Sequence, residues 1–530
     1  MRVGARQGAA WLAAVLLLPG LARGQEPLRI GNINIQVVDV FSPEEATRGW
    51  FYRAANAIHI ETREAVIRKF LLFQEGDPYD PARLDETERN LRALGFLTMA
   101  SVTAGPPHDG VVDVNVVTQD AWTLQPSLSL GSTGGVSTYS FELEESDLVG
   151  SGRQVSVAYD KGTERTNHRL QYQDPYLFGP YWAGSLLYSQ NSDGEEQRAQ
   201  VARPFSGFVD RRSATFLAHH LTQNVRLFAN GEESAKFHQK HQEVGVQYGW
   251  AVAASDERAR RLTVGFDALE DQFSVLPEEP GVVLPEDRNF RTVFLQYEDL
   301  RNDFLKLNYV NRDLRYEDFS VGRRLLARVG ISPSIFGLDR TTWLARFEAG
   351  QGWRLGPGSF LAAGLVYQTR WDGSPENEIL SLGLRYVRKF DTRPLQTLVS
   401  RLVFDRGWRL DGDVQFFADG STGLRGYHLH AFAGDKRVIW NVEQRVFSGK
   451  EILQLISPGL AVFFDTGVAT PSGQPLRLSD LKSDVGAGLR FSISRAATNN
   501  ILRIDFAYAL NPDPQGRKGW LVSFSSGQEF

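Results

Sequence analysis

From about residue 122 to the carboxy terminus the chain repeats one pattern: short segments of alternating apolar and polar side chains, separated by Gly, Asp, Asn and Pro. In residues 153–160, Val155, Val157 and Tyr159 fall on one side and Gln154, Ser156 and Ala158 on the other. Near the end, Leu502, Ile504, Phe506, Tyr508 and Leu510 alternate with Arg503, Asp505, Ala507 and Ala509. In the last segment Trp520, Val522, Phe524 and the terminal Phe530 are apolar, while Leu521, Ser523, Ser525 and Glu529 are mostly polar or small. A period of two is the signature of a strand with two unlike faces. Segments of roughly 9–11 residues are long enough to cross a bilayer at a tilt, apolar side to lipid and polar side to water. The fold class predicted for residues 122–530 is a transmembrane antiparallel β-barrel with an even number of strands.

Residues 28–120 carry a different pattern, α+β. Ile30, Asn32, Asn34 and Gln36 alternate with Gly31, Ile33, Ile35 and Val37, a first strand. Thr62 is placed to cap a helix whose apolar residues Val66, Ile67, Phe70 and Leu71 recur at one-turn spacing. In a second helix Asp80 is the N-cap, Pro81 the first helical residue, Leu84, Leu91 and Leu94 the buried stripe, and Gly95 the stop. Two strands follow, over 97–104 and 111–117, joined by the turn-rich 105–110. Residues 41–59 form an insertion between first strand and first helix, with Trp50-Phe51-Tyr52 expected to pack on the domain.

The first 24 residues add a compartment. Arg2 and Arg6 precede an apolar core from Ala9 to Leu18, then Pro19-Gly20 and Ala22-Arg23-Gly24, which is the layout of a signal peptide with mature start near Gln25. The chain has no cysteine, which excludes disulfides and thiolate metal sites. Past the signal peptide no run of 18 apolar residues occurs, so helical membrane spans are excluded. A net charge of -5 speaks against a nucleic-acid partner.

The β-α-α-β-β order, with Gly76-Asp77-Pro78-Tyr79-Asp80 before the second helix and Leu94-Gly95-Phe96 after it, resembles a POTRA domain. Downstream, Gly423-Leu424-Arg425-Gly426-Tyr427 is similar to the arginine-glycine-aromatic motif of the BamA/TamA superfamily, and five strand-like segments follow it, near Val438, Leu460, Val485, Leu502 and Trp520. Residues 147–152 and 174–179 resemble that family's early barrel motifs. The resemblance implies one POTRA domain followed by a surface-antigen-type barrel of sixteen strands. It implies a long extracellular loop folded into the lumen with Arg425 at its tip, and a carboxy-terminal assembly signal in Trp520, Val522, Phe524 and Phe530.

A guanidinium drawn into a lumen needs carboxylate acceptors. Three face inward by parity: Asp465, in a stretch resembling the family's Phe-x-Asp-x-Gly motif, Asp505, and Glu443, which shares a face with Asn441 and Arg445. Asp465 is the first partner the family implies. A wet lumen predicts a modest energetic cost for breaking this pair.

The chain carries no Gly-x-Ser-x-Gly elbow and no phosphate-binding loop. His428-x-His430 lacks further ligands at metal-site spacing, and His219, His220, His238 and His241 read as polar wall or loop positions. The reading is therefore a non-enzymatic assembly or translocation factor of the Gram-negative outer membrane, with no cofactor and no metal. Its partners are the outer-membrane lipid bilayer, unfolded or exported polypeptide clients and, compatibly, periplasmic accessory proteins. The alternatives are a two-partner-type secretion pore, a passive porin or transporter, and an outer-membrane phospholipase, the last without a serine-histidine site in view.

Overall fold

The computed structural model of the chain describes residues 28–133, 136–162, 164–178, 182–493 and 501–526. The signal-peptide reading and Phe530 of the closing segment lie outside the described residues.

The amino-terminal sheet has three strands. Arg29–Val38 runs parallel to Val111–Asp120, which pairs antiparallel with Leu97–Ala104, so Val111–Asp120 is central and the other two are edges. Helices Glu64–Lys69 and Pro81–Ala93 supply Val66, Ile67, Leu84 and Leu91 to one apolar core with Ile30, Ile33, Phe96, Val114 and Val116. The Asp80 carboxylate accepts from Ala82 N at 3.0 Å and caps the second helix. Thr62 does not cap the first. That helix starts from Arg63 without a side-chain cap, and the Thr62 hydroxyl donates to Asp147 Oδ2 at 2.7 Å, a buried carboxylate 85 residues away.

The inserted segment forms helices Pro43–Ala46 and Trp50–Ile58. Phe41 meets Tyr52 edge-to-face at 5.0 Å beside Val40 and Trp122. The Tyr52 hydroxyl donates to the Leu453 carbonyl at 3.2 Å, so this insertion reaches a barrel turn. Trp50 stands 75% exposed, unlike Tyr52.

Among the described residues the barrel wall has twenty strands, with Trp520–Ser526 neighbouring Leu124–Thr133 to close it. The expected sixteen is corrected. Alternation marks a strand without saying which sheet it joins, and between residues 200 and 401 the wall takes in eight strands from Arg212–Ala229 to Pro375–Phe390. Phe304–Asn308 and Tyr316–Ser320 instead pair only with each other, as a hairpin. Five wall strands follow the Arg425 loop.

On Glu232–Ala254, Val244, Val246, Tyr248, Trp250 and Val252 are exposed on the outer face. That strand is 23 residues long and its neighbours 18 and 17, whereas Gln154–Lys161 and Thr166–Asp174 have 8 and 9. The wall is high on one side and low along residues 154–174.

The lumen is entered from both ends. From the far rim, residues 409–435 fold inward, braced by the short pair Phe416–Ala418 and Phe432–Gly434. From the rim carrying the amino-terminal domain, the hairpin folds inward, with Leu307, Val310 and Val321 packed on Phe360, Val387 and Val399 of the wall. Helix Pro81–Ala93 lies across the same rim: Glu86 accepts from Phe208 N at 2.9 Å and Asn90 donates to the Ser206 carbonyl at 3.3 Å.

Candidate functional site

The loop 409–435 owes its shape to a buried carboxylate that sequence reading passed over. Asp419 Oδ1 accepts from Ser421 N at 2.9 Å and Thr422 N at 3.1 Å, and its Oδ2 accepts from His430 N at 2.6 Å. An Asp bonded to the amides ahead of it makes a self-contained turn. Gly423 follows at φ 127°, a conformation that favours glycine. Leu424, fully buried, packs with Ala418, Ala431, Phe432 and Ile439. A Cβ on Gly426 would lie 2.6 Å from Asp484 Cβ and 3.1 Å from Ala509 N, so only a glycine lets the backbone lie against the wall. The Tyr427 hydroxyl reaches the carbonyls of Ser483 and Asn511 at 2.9 and 3.3 Å.

Arg425 is thereby presented to the wall strands Lys436–Phe447, Ile456–Thr470 and Ile501–Ala509. Its Nε and Nη2 donate to Asp465 at 2.7 and 3.0 Å in a forked pair, and Nη1 donates to Glu443 at 2.5 Å. Asp505 is farther, at 3.8 Å. The guanidinium also lies over the Phe463 ring, 3.4 Å from its centroid. Arg425 is 3% exposed and Asp465, Glu443 and Asp505 are 0%. The wet surroundings expected for this pair are corrected: Arg425 and its acceptors are buried from bulk solvent, with the Phe463 ring against the guanidinium.

Four residues without an assigned role join the cluster, beside the buried Asp484 that stands opposite Asp465. Asn441 donates to the Gly423 carbonyl at 2.6 Å and to Asp465 at 2.8 Å. Arg445 donates to Glu443 at 2.7 Å, Arg490 to Asp505 at 2.6 Å, and Arg503 stands 3.2 Å from Asp505. Each shares the inward parity of the predicted acids, a signal that was legible. Guanidiniums alternate with carboxylates, so no buried charge in this set stands alone.

The loop root is tied to the opposite wall, where Arg288 donates to Asp411 and Asp413 at 2.8 Å each and Arg370 to Asp411 at 2.7 and 2.6 Å. His430 stacks on Phe228 at 3.7 Å and pairs with Glu164 at 3.1 Å. His219, His241 and Glu243 bring possible metal-ligand atoms within 4.8 Å of one another. In them Asp271 holds His241 Nδ1 at 2.7 Å and Glu196 holds His219 Nε2 at 3.0 Å, a hydrogen-bonded ladder along the inner wall.

In the closing strand Trp520 and Phe524 are exposed on the outer face, and Trp520, Val522 and Phe524 pair with Tyr508, Phe506 and Ile504.

Where the amino-terminal domain meets the wall, Thr62 N donates to Asp120 at 2.8 Å, its hydroxyl donates to Asp147, and His59 stands 3.0 Å from Asp39 and 3.7 Å from Asp120. Burial pushes Asp120 up to about 6 against the bonds from Thr62, and burial raises Asp147 too. Burial opposes the charge on His59, but Asp39 and Asp120 outweigh it and raise its pKa.

Residues 59–119 match the POTRA family model, described as surface antigen variable number repeat. The chain is 26% identical over 196 residues to the outer membrane protein assembly factor BamA of Neisseria meningitidis serogroup B, covering 32% of this chain and 24% of that protein. It is 26% identical over 134 residues to BamA of Neorickettsia risticii, covering 24% and 18%. The chain thus spans about a quarter or less of the length of these curated relatives. Among solved structures, CdiB from Escherichia coli superposes with a TM-score of 0.50 at 11% identity, covering 93% of this chain and 75% of that one, a likeness of fold.

Proposed function

This chain is a POTRA-bearing outer-membrane barrel related to the BamA/TamA superfamily, its POTRA domain on the periplasmic side, and on that premise we propose that it inserts polypeptide clients into the outer membrane. Residues 28–120 receive the client, and residues 122–530 offer it strand edges where Trp520–Ser526 meets Leu124–Thr133. The observation that carries the reading is the place of Leu97–Ala104: an edge strand, packed against a helix that lies on the barrel mouth. An edge strand binds extended chain through backbone hydrogen bonds with little demand on sequence, which suits a receptor for unfolded clients. Arg425 with Asp465, Glu443 and Asp505 holds the lumen loop as an internal brace. Pairing of backbones needs no catalytic residue, cofactor or metal.

A passive porin is disfavoured by a lumen occupied from both rims. A two-partner-type secretion pore shares the receptor and differs in where the client ends. Reconstitution tests both: the purified chain is placed in vesicles with an unfolded outer-membrane protein, beside a form lacking residues 28–120. Insertion of the client as a folded, protease-resistant barrel, slowed in the truncated form, supports the proposal. Delivery of the client across the bilayer would favour the pore, and equal rates for the two forms would remove the receptor role.

A further inference from the structure

The edge that would receive a client is already in use. Val102, on Leu97–Ala104, donates its backbone N–H to Glu88 Oε2 at 3.0 Å, away from its partner strand. Glu88 lies on helix Pro81–Ala93 and has two further partners. Lys306 Nζ donates to it at 2.9 Å, and Arg92 one turn on forms a close pair with it. Lys306 belongs to the lumen hairpin. Arg92 also grips that hairpin, donating to both oxygens of Asp318 at 2.7 and 3.0 Å, and Arg89 covers the Phe304 ring at 4.8 Å. One carboxylate therefore joins the open edge of the POTRA sheet to the base of the element that fills the near end of the lumen.

The far end of the hairpin is held by the wall. Arg445 donates to the Val310 carbonyl at 2.9 Å and to Asn311 at 3.0 Å, Arg385 donates to Asn311 at 2.8 Å, and Lys389 donates to Asn308 at 2.6 Å. Between these anchors Tyr309 and Leu314 sit at φ 58° and 64°, left-handed conformations that bulky side chains avoid. Such strain persists only while the surroundings hold it, and it is relieved on release.

We propose that an extended polypeptide segment adding to Leu97–Ala104 takes the Val102 N–H from Glu88 and thereby unlatches the hairpin Phe304–Ser320 from the lumen. The new strand's carbonyl must occupy the space where the Glu88 carboxylate now sits, because an amide hydrogen has one direction. Once displaced, Glu88 leaves Lys306, and the helix holds the hairpin only through Arg92–Asp318 and Arg89–Phe304, with the strain at Tyr309 and Leu314 set against the wall anchors. The lumen then opens toward the periplasm when a client is on the receptor and stays filled otherwise. The inference rests on the proposed uptake of clients at this edge.

The chain has no cysteine, so Val310→Cys gives a single reporter at a side chain that is 0% exposed in the docked hairpin. The full-length protein in vesicles is treated with a water-soluble maleimide, with and without a synthetic peptide of residues 519–530. Binding of the fluorescent peptide is followed separately by anisotropy. Saturating peptide is expected to raise the labelling rate by about tenfold, within the range of ordinary coupling between sites. Glu88→Gln keeps an acceptor for Val102 and discharges the pairs with Lys306 and Arg92, so it is expected to raise labelling without peptide. Asp318→Asn, on the other side of the grip, should do the same and leave peptide binding intact. Peptide bound at the edge with labelling unchanged, or equal basal labelling in all three proteins, overturns the latch while the receptor role stands. Peptide binding indifferent to Val102→Pro, which deletes the edge N–H, would remove the receptor role and the latch with it.

Discussion

Glu443 and Arg445 lie two residues apart on one wall strand, both turned inward, and close on each other at 2.7 Å while reaching to opposite ends of the lumen. Glu443 takes Arg425 from the extracellular loop, and Arg445 takes Val310 and Asn311 from the periplasmic hairpin. The two inward-folded segments thus share a single pair of side chains. Period-two alternation is what allows this, since residues i and i+2 stand on the same face.

The burial of the Arg425 cluster sets the size of the first expected effect. Removing one partner of a buried pair leaves an uncompensated charge and costs about 3–5 kcal/mol. Arg425→Ala and Asp465→Ala should each cost near that amount, and the double variant little more than either, because partners in one contact are non-additive. Arg425→Lys should recover part, keeping the charge and losing the fork. Denaturant unfolding of the barrel with loop proteolysis as a second readout decides it. Strictly additive losses would show that the two side chains act separately.

Gly426→Ala should undock the lumen loop although it adds one methyl group. Its Cβ meets the backbone-proximal Asp484 Cβ at 2.6 Å and the amide of Ala509 at 3.1 Å, atoms that belong to the wall and cannot swing away. Overpacking of this kind typically costs about 1–3 kcal/mol. The loop should become sensitive to protease near Arg425, and an unchanged digestion pattern would argue against the contact.

Deleting residues 519–530 removes the strand that closes the cylinder. Leu502, Ile504, Phe506 and Tyr508 would then face lipid beside an unpaired backbone edge, which hydrocarbon cannot satisfy. Heat-modifiable migration, the mark of a closed barrel, should be lost while the amino-terminal domain stays folded and soluble. A heat-modifiable band from the truncated chain would contradict the closure.

The junction between the domains should weaken as pH rises. Asp120, at about 6, holds its proton in the docked state more tightly than a free carboxylate, and Asp147 is shifted the same way. A raised pKa stabilises the docked state fully below the free value of about 4, and that contribution is lost as pH rises through 6. Amide exchange around Thr62 in the full chain should therefore be faster at pH 7.5 than at pH 5. Asp120→Asn should flatten the difference, and an unaltered pH dependence in that variant would place the cause elsewhere.

What could be read from the chain divides by the range of the interaction. The outer face of the last strands was legible, since Leu502, Phe506 and Trp520 belong to runs that alternate with mostly polar or small residues whatever the rest of the molecule does. The inward acids near Arg425 were legible for the same reason. The number of strands was not: Phe304–Asn308 and Tyr316–Ser320 are extended strands as the wall strands are, and only the sheet they join tells them apart. Thr62 looked like a helix cap because its true acceptor, Asp147, is far along the chain. Arg445 looked like one more polar lumen residue, because nothing local in the sequence announces that a hairpin from residue 304 onward will fold up to meet it.

The tall side of the wall has a consequence for anything outside the cell. A strand of 23 residues extends roughly 76 Å at 3.3 Å per residue, and even tilted by about 45° it overtops a hydrocarbon layer of roughly 30 Å. Its apolar outer face is confined to Val244–Val252, toward the periplasmic end, while Glu232, Glu233, Lys236 and Lys240 occupy the outer part. With the adjoining strands Arg212–Ala229 and Arg258–Ser274 this part makes a stiff polar ridge standing above the lipid headgroups. An antibody or a phage arriving at an intact cell is offered that ridge on the seventh, eighth and ninth of the twenty strands counted from Leu124–Thr133, away from the closure.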